Sequence, residues 1–379
     1  MFRTIKYFKG LNSLRFFAAY LVVIHHTEQI RMKYGLFHLK EYSFFNNGGI
    51  AVTFFFVLSG FLISYLLLQE INTTKTIAVK NFYYRRILRI WPLYFLLIVI
   101  GVILLPYVLD ILDYSYIMPY AFNEVIYYYI FFAPFMVNIF FGHHLLEPLW
   151  SIGVEELFYI LWAPFLKFLK KYLLSVILFI ILLRVIIMYI SYLGLFDPII
   201  DRIVRMLRFE AMAIGGLCAY VVFNNKNLLS SFLFSRLTQF FLITFILLRL
   251  FVFQFLLENY IFFNVLFNTP VLSDLLLTII FGWLIINISI NPKSIISLDS
   301  KVLNFLGSIS YGIYMYHMLI IFGIIVLFER YLSDLNDLYS TISFYLALTI
   351  IVVLVSYLSK KFFEDYFLRF KNRYRTINL

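Results

Sequence analysis

The sequence predicts an all-helical integral membrane protein. Hydrophobic residues make up 63% of the 379 residues and charged residues only 13%, and the mean hydropathy is +0.91. Soluble domains carry roughly 45–50% apolar and about 25% charged residues, so a soluble core could not absorb this excess of apolar surface. The apolar residues also fall into runs of about twenty, the length at which a helix crosses the hydrocarbon layer. These two observations predict a polytopic membrane domain.

About ten apolar runs are long enough to span the bilayer. They lie at 11–30, 50–69, 87–108, 149–166, 172–193, 205–223, 237–256, 271–290, 305–328 and 340–359. A further apolar stretch at 125–141 is short and contains Pro134, so we expect it to form a re-entrant or interfacial segment. The basic N-terminal flank is typical of a signal peptide, but no small-residue cleavage site follows it, and the first run is expected to remain as a span.

Lys and Arg are distributed unevenly between the segments that join these runs. With ten spans and a cytoplasmic N-terminus, most basic residues lie in segments that face the cytoplasm, including residues 75–89 and the tail after residue 360. Cytoplasmic loops of membrane proteins collect Lys and Arg, which accounts for the net charge of +11 without nucleic acid. Both termini are therefore expected in the cytoplasm. Counting 125–141 as an eleventh span would invert everything after it and destroy this bias.

A single membrane domain is expected to occupy residues 1–379, with no appended soluble domain. The sequence has no repeat of fixed period and no linker rich in Pro, Gly or Ser. The one cysteine, Cys218, lies in an apolar run and cannot form an intramolecular disulfide. No CxxC or HExxH spacing is present, so no metal site is predicted.

The presence of ionisable residues inside the first apolar run requires an explanation, because placing such groups in a bilayer costs free energy. Arg15 and His26 are eleven residues apart, so they share one helix face about 16 Å apart along the axis, and His25 points about 100° away from it. One interpretation is that this face lines a polar route through the protein. The alternative is that Arg15 extends its charge to the inner interface and His26 bonds a neighbouring helix.

Two further groups of polar residues lie in or beside the spans. Arg86 and Arg89 are one helical turn apart at the inner mouth of the third span. They either anchor that helix or bind phosphate through their paired donors. Ser151, Glu155 and Tyr159 follow at four-residue steps and share one face of the fourth span. A carboxylate at this depth needs a partner inside the protein.

Three other features are less specific. The Ser59-Gly60 pair in the second span, together with Gly48-Gly49, is typical of close helix packing. Arg205, Arg208 and Glu210 stand at the start of a span, and they are candidates for pairing with each other. His317 lies about mid-span, where a histidine is often a hydrogen-bonded structural residue.

Taken together and in order, these stretches resemble acyltransferase family 3, the polytopic O-acyltransferases of bacterial cell-surface glycans. The resemblance runs from Leu11 to about Glu364 and rests on five motifs, each weak alone. The first motif is a basic residue followed, after ten residues, by a histidine (Arg15, His26), and the second is a Phe-Phe-Val-x-Ser-Gly-Phe-Leu-Ile run (55–63). The third is Arg-x-x-Arg with Pro-x-Tyr (Arg86, Arg89, Pro92, Tyr94), and the fourth is Trp-Ser-x-x-x-Glu-x-x-Phe-Tyr (Trp150, Ser151, Glu155, Phe158, Tyr159). The fifth is Gly-x-x-Ser-Tyr-x-x-Tyr-x-x-His (Gly307, Ser310, Tyr311, Tyr314, His317).

The chain departs from the family pattern at two places. Many members have an acidic residue where Thr53 stands, and many end the last span with Glu-x-Pro where this chain has Glu364-Asp365-Tyr366. Either these positions are dispensable or a charge partner comes from elsewhere.

The resemblance implies transfer of an acyl group, most often acetyl, from cytoplasmic acyl-CoA to a hydroxyl of a cell-surface polysaccharide or its lipid-linked precursor at the bacterial cytoplasmic membrane. Arg86 and Arg89 would hold the CoA phosphates, and Arg15 would line the route of the acyl arm. His26 would act as general base. Glu155 would either orient His26 or bind the acceptor. Supporting roles at the acceptor would fall to Ser59, Trp150, Ser151, Tyr159, Arg208, Tyr311 and His317.

Several alternatives stay open at this point. The acceptor could be O antigen, capsule, exopolysaccharide or peptidoglycan, the group acetyl or succinyl, and the transfer direct or through an acyl-enzyme. A transporter or flippase of glycan or lipid-linked sugar would use the same spans without consuming acyl-CoA, although the sequence shows no pair of interrupted spans related as halves. A non-catalytic membrane scaffold would tolerate loss of His26, but the complete motif set argues against it.

Overall fold

The computed structural model describes residues 5, 7–116, 118–142, 144–224, 232–268, 270–334 and 337–374. Within these residues every regular element is helical, as the composition predicts. The α-helices are α1 (Leu11–Lys33), α2 (Gly48–Thr74), α3 (Val79–Ile98), α4 (Leu105–Ile111), α5 (Phe122–Ile130), α6 (Pro134–Phe140), α7 (Leu149–Leu169), α8 (Leu173–Tyr192), α9 (Pro198–Met206), α10 (Phe209–Asn224), α11 (Arg236–Phe251), α12 (Phe253–Asn259), α13 (Ile261–Asn268), α14 (Pro270–Ile290), α15 (Lys301–Ser308), α16 (Ser310–Asp334), α17 (Asp337–Ser359) and α18 (Asp365–Leu368).

Seven helical runs among the described residues are long and apolar enough to cross a membrane, and the bent pair α11–α12 would make an eighth. The prediction of ten spans is therefore not confirmed. One difference lies at Leu149–Tyr192, which counts as one run of 44 residues. At 1.5 Å per residue it is about 66 Å long, roughly twice the hydrocarbon thickness. A short turn of 3₁₀-helix at Lys170–Tyr172 interrupts it where two predicted spans meet.

Helix α1 is not among the seven runs, because polar residues lower its mean hydropathy. It packs against α2, α15 and α16, so much of its surface faces protein instead of lipid. Its buried charges are paired: Arg31 lies 3.5 Å from Glu28, and the Tyr345 hydroxyl donates to Glu28 at 2.5 Å. A helix enclosed by others can carry such groups where a lipid-facing helix cannot.

The stretch 125–141 forms no span of its own, in agreement with the sequence analysis. It consists of α5 and α6, which have nine and seven residues, and Phe132 lies in the turn between them at φ 55°. The Phe132 ring packs 4.7 Å from the ring of Tyr94 and 4.9 Å from that of Trp91, both on α3. The segment therefore packs against α3, and its re-entrant or interfacial location stays a prediction.

The location of the termini in the cytoplasm stays a prediction. Residues 1–4, 6 and 375–379, at the two ends of the chain, lie outside the described residues. What the structure does show is that the chain after α17 folds back onto α3 through α18 and a 3₁₀ turn at Arg369–Tyr374. Because α3 carries Arg86 and Arg89, the tail lies beside the predicted inner mouth.

Helices α2 and α10 approach each other closely through glycine. A Cβ atom at Gly60 would stand 2.0 Å from the carbonyl oxygen of Met212, and one at Gly215 would stand 2.0 Å from that of Val57. The packing role predicted for Gly60 is thus confirmed. The same prediction was wrong for Gly49, where a Cβ would meet no described atom within 4 Å.

We expect the Gly60→Ala substitution to destabilise the protein. The added methyl forces apart two backbones that now touch, and overpacking of this kind costs typically about 1–3 kcal/mol. The thermal unfolding midpoint in detergent should fall, whereas Gly49→Ala should leave it unchanged. Equal midpoints for Gly60→Ala and wild type would contradict the close approach of these helices.

Candidate active site

A cavity of about 250 Å³ lies among α1, α2, α3, α7 and α16. It gathers residues that the sequence analysis took from all five motifs, although these are up to 299 residues apart in the chain. Its polar and charged lining consists of Arg15, Ser59, Arg86, Arg89, Ser151, Glu155, Tyr159, Ser310, Tyr311, Tyr314 and Lys371. Helix geometry explains the grouping within each motif, because it places the polar residues of that motif on one helix face.

The lining is strongly cationic. Among its described residues are four cations and a single carboxylate, Glu155. Arg15 donates to the Asn12 side chain at 3.1 Å. The Arg86 guanidinium lies 5.9 Å from the centre of the Tyr159 ring, and its buried Nε has no hydrogen-bond partner among the described residues. A buried donor left without a partner is costly, so the site fits an anionic ligand such as a phosphate.

The two neighbouring carboxylates of the fourth motif have different surroundings. Glu155 accepts a hydrogen bond from the Tyr159 hydroxyl at 2.9 Å, and that hydroxyl also bonds to Ser59. Because the Tyr159 proton goes to the carboxylate, Ser59 must donate to Tyr159. Glu156 lies outside the cavity lining and accepts from the Trp91 indole at 3.1 Å. Only Glu155 is therefore placed to contact a ligand in the cavity.

Ser151 and Tyr314 bound the cavity on the side of the N-terminal end of α7. Their hydroxyl oxygens are 2.7 Å apart, and the Tyr314 hydroxyl also donates to the Pro148 carbonyl at 3.0 Å. Trp150 is not part of the lining, and its ring packs edge-on against Phe56 at 6.0 Å. Trp150 thus supports the wall that carries Ser151.

His26 and His317 form a hydrogen-bonded pair across α1 and α16. Nδ1 of His26 is 2.8 Å from Nε2 of His317, and the rings stack with their centres 5.0 Å apart. Neither imidazole lines the cavity. His317 lies one helical turn beyond Tyr314, and His26 about three turns along α1 from Arg15. The pair therefore lies past the end of the cavity that Tyr314 bounds.

The hydrogen bonds of this pair define its tautomers. Nδ1 of the fully buried His317 is 2.6 Å from the backbone carbonyl oxygen of Tyr314. A carbonyl only accepts, so this Nδ1 carries the proton and Nε2 of a neutral His317 must accept. His26 then donates from Nδ1, which leaves its lone pair on Nε2. The imidazole of His26 is thereby prepared to take a proton at Nε2.

Glu155 and His26 have different partners in the structure from those that the sequence analysis considered. The contact shown for Glu155 is with Tyr159, and the one shown for His26 is with His317. His317 thus occupies the orienting position that was one of two options for Glu155. The sequence did predict a hydrogen bond from His26 to a neighbouring helix as an alternative, but it could not identify the partner.

Arg208 lies outside the cavity lining, and its expected ion pair with Glu210 was wrong. Glu210 pairs with Arg184 at 3.2 Å. Arg208 donates to the Thr53 hydroxyl at 2.5 Å and lies 4.0 Å from Asp274. Glu210 is the second residue of α10, whereas Arg208 lies in the break between α9 and α10, and its guanidinium contacts Thr53 and Asp274 instead. Asp274 supplies a carboxylate beside Thr53, where many members of the resembled family have an acidic residue.

Two residues of this region were missed by the sequence analysis. Lys371 is one of many basic residues in the tail, and nothing in its local sequence sets it apart. Asp274 is an acidic residue inside a predicted span, and that unusual position could have identified it from the sequence. No group of three or more His, Cys, Asp or Glu among the described residues could hold a metal ion.

The fold and the cavity define a multi-pass membrane protein whose helices enclose a cationic chamber. Residues 8–360 match a family model described as an acyltransferase domain, that of acyltransferase family 3. The chain therefore belongs to this family, as the resemblance of its five motifs indicated.

Similar curated proteins are named as O-acetyltransferases. The peptidoglycan O-acetyltransferase OatA of Listeria monocytogenes is 28% identical over 345 residues, which cover 83% of this chain and 50% of that protein. The putative peptidoglycan O-acetyltransferase YrhL of Bacillus subtilis is 31% identical, and the putative O-acetyltransferase SACOL0978 of Staphylococcus aureus 32%, each over 42% of this chain and 24% of the relative. The matched region thus spans half the length of the Listeria relative and 24% of the length of each of the other two. No solved structure matches it significantly.

Proposed function

We propose that the chain is a membrane-bound O-acetyltransferase that uses cytoplasmic acetyl-CoA and acylates a hydroxyl of a cell-surface glycan at the bacterial cytoplasmic membrane. The observation that carries the proposal is the order of groups along the cavity. Cations lie at one end of the cavity, and an oriented imidazole pair lies beyond the other. Membership of the family and the names of the relatives support O-acetyl transfer.

The donor is expected to enter at the cationic end. Arg86 and Arg89 would bind the phosphates, since guanidinium groups present paired donors to phosphate oxygens. The uncharged pantetheine arm would extend along the cavity past Arg15, Tyr311 and Glu155. This route would bring the thioester to the Ser151–Tyr314 end without moving the phosphates through lipid.

The acceptor is expected to react at His26. Its Nε2 would take the proton of the sugar hydroxyl while that oxygen attacks the thioester carbonyl carbon. The carbon–sulfur bond then breaks, and the CoA thiolate takes the proton from His26. General base catalysis of this kind contributes about 10²–10⁴ in rate. Because the Listeria relative is named for peptidoglycan, peptidoglycan is the first acceptor to test.

Inverted membrane vesicles test the donor directly. The chain is produced in a host without its own O-acetyltransferases, and the vesicles receive acetyl-CoA labelled in the acetyl group. We expect label in the glycan fraction that mild base releases, at a level well above that of vesicles lacking the chain. Label that stays on CoA in the presence of a competent glycan would overturn the proposal.

His317 is expected to act as a positioning residue for His26. Removing its side chain in His317→Ala leaves the Nδ1–H of His26 without an acceptor, and we expect the transfer rate to fall about tenfold. His317→Gln should retain most activity, because its amide oxygen can accept the same hydrogen bond. Equal losses in both variants, measured as base-labile acetyl per unit of glycan, would indicate that His317 serves only packing.

A further inference from the structure

The C-terminal segment, residues 365–374, is fixed to the helices of the inner mouth. The Arg85 side chain donates to the Tyr374 carbonyl at 2.6 Å, and the Tyr374 ring stacks on that of Tyr84 with 4.6 Å between centres. Arg85 also lies 3.3 Å from Glu70 on α2. One arginine therefore ties the segment to both α2 and α3.

This attachment brings a cation from the tail to the cavity. Lys371 lines the same chamber as Arg15, Arg86 and Arg89. Like charges gathered in one partly enclosed site repel each other, and Glu155 is the single carboxylate in the described lining. Such an arrangement is stabilised by a ligand with several negative charges.

We infer that Lys371 binds a phosphate of the acyl donor and that the C-terminal segment is part of the donor site. The inference rests on the proposed function. CoA carries a diphosphate and a ribose phosphate on its nucleotide half and no charge on its pantetheine arm. Lysine supplies a point charge to phosphate, whereas the arginines supply paired donors. Lys371 thus contributes to selection of CoA thioesters over thioesters that lack the nucleotide.

The test compares two donors in proteoliposomes, acetyl-CoA and S-acetylpantetheine, which has no phosphate. In Lys371→Ala the preference for acetyl-CoA, expressed as the ratio of the two kcat/KM values, should fall about tenfold, the effect of losing one charged hydrogen bond. The loss should lie in KM, and Lys371→Arg should restore it. Lys361→Ala, which removes an exposed cation from the same end of the chain, should leave the ratio unchanged.

The possible results separate the two proposals. A wild-type protein that uses acetyl-CoA, with an unchanged donor ratio in Lys371→Ala, overturns the inference alone. An equal loss with both donors also overturns it, since that result indicates general damage to the fold. A wild-type protein that transfers acetyl from neither donor overturns the proposed function and the inference with it.

Discussion

Replacement of His26 by alanine is expected to abolish acetyl transfer while leaving the protein in the membrane at wild-type levels. The imidazole is held by His317 with its lone pair on Nε2. Loss of a general base lowers the rate by about 10²–10⁴. The measurement is the amount of base-labile acetyl per unit of surface glycan.

His25→Ala is the matched control for this experiment. It removes a second imidazole from the neighbouring position, with ring centres 5.3 Å apart, but the bond between His26 and His317 remains. We expect it to retain most of the activity. Transfer at the wild-type rate by His26→Ala, or equal loss in both variants, would refute the assignment of the base.

The Arg86→Ala substitution is expected to weaken donor binding about 10- to 100-fold, since bonds to charged groups contribute roughly 1.5–3 kcal/mol. The guanidinium lines the cavity, and its buried Nε has no hydrogen-bond acceptor within the part of the chain that the structure describes. The effect should appear in KM for acetyl-CoA more than in kcat. Arg86→Lys should be intermediate, because it keeps the charge and loses the paired donors.

Lys80→Ala controls for the loss of charge from α3. Lys80 is an exposed cation on the same helix, and it does not belong to the cavity lining. Its removal should leave KM unchanged. If both substitutions raised KM alike, the positive potential of the inner surface would explain donor binding, and a specific site at Arg86 would not be needed.

Much of the candidate site could be predicted from the sequence because it depends on local helix geometry. Spacing by three or four residues places Arg86 with Arg89, and Ser151 with Glu155 and Tyr159, on single faces. The structure shows these faces turned to one cavity. The class of fold follows similarly from composition, since so apolar a chain has no soluble alternative.

Contacts between distant residues could not be predicted in the same way. Periodicity determines which face a residue occupies but not which helix lies opposite. His26 and His317 are 291 residues apart, and Lys371 reaches the cavity only because the tail folds back onto α3. Arg208 and Glu210 illustrate the converse error. Closeness in sequence predicted a pair, but Arg208 lies in the break before α10 and Glu210 pairs with Arg184.

The number of spans was uncertain for a related reason. Hydropathy alone does not count α1, although it packs among α2, α15 and α16 and pairs Arg31 with Glu28. Nor does it separate α7 from α8, which a short 3₁₀ turn joins. Polar residues inside a helical bundle and breaks between consecutive apolar helices both depend on tertiary packing, which composition does not reveal.

The most direct test of the account is the mass profile of surface glycan from a host that lacks its own O-acetyltransferases. The host carries in turn the wild-type chain, the His26→Ala variant and, as a positive control for the acceptor, the Listeria relative. We predict a base-labile acetyl increment with the wild-type chain and with the relative, and none with His26→Ala. An increment with the relative but not with the wild-type chain would contradict acetyl transfer to that glycan. In that case, movement of a labelled lipid-linked glycan across the membrane without acetylation would identify a transporter instead.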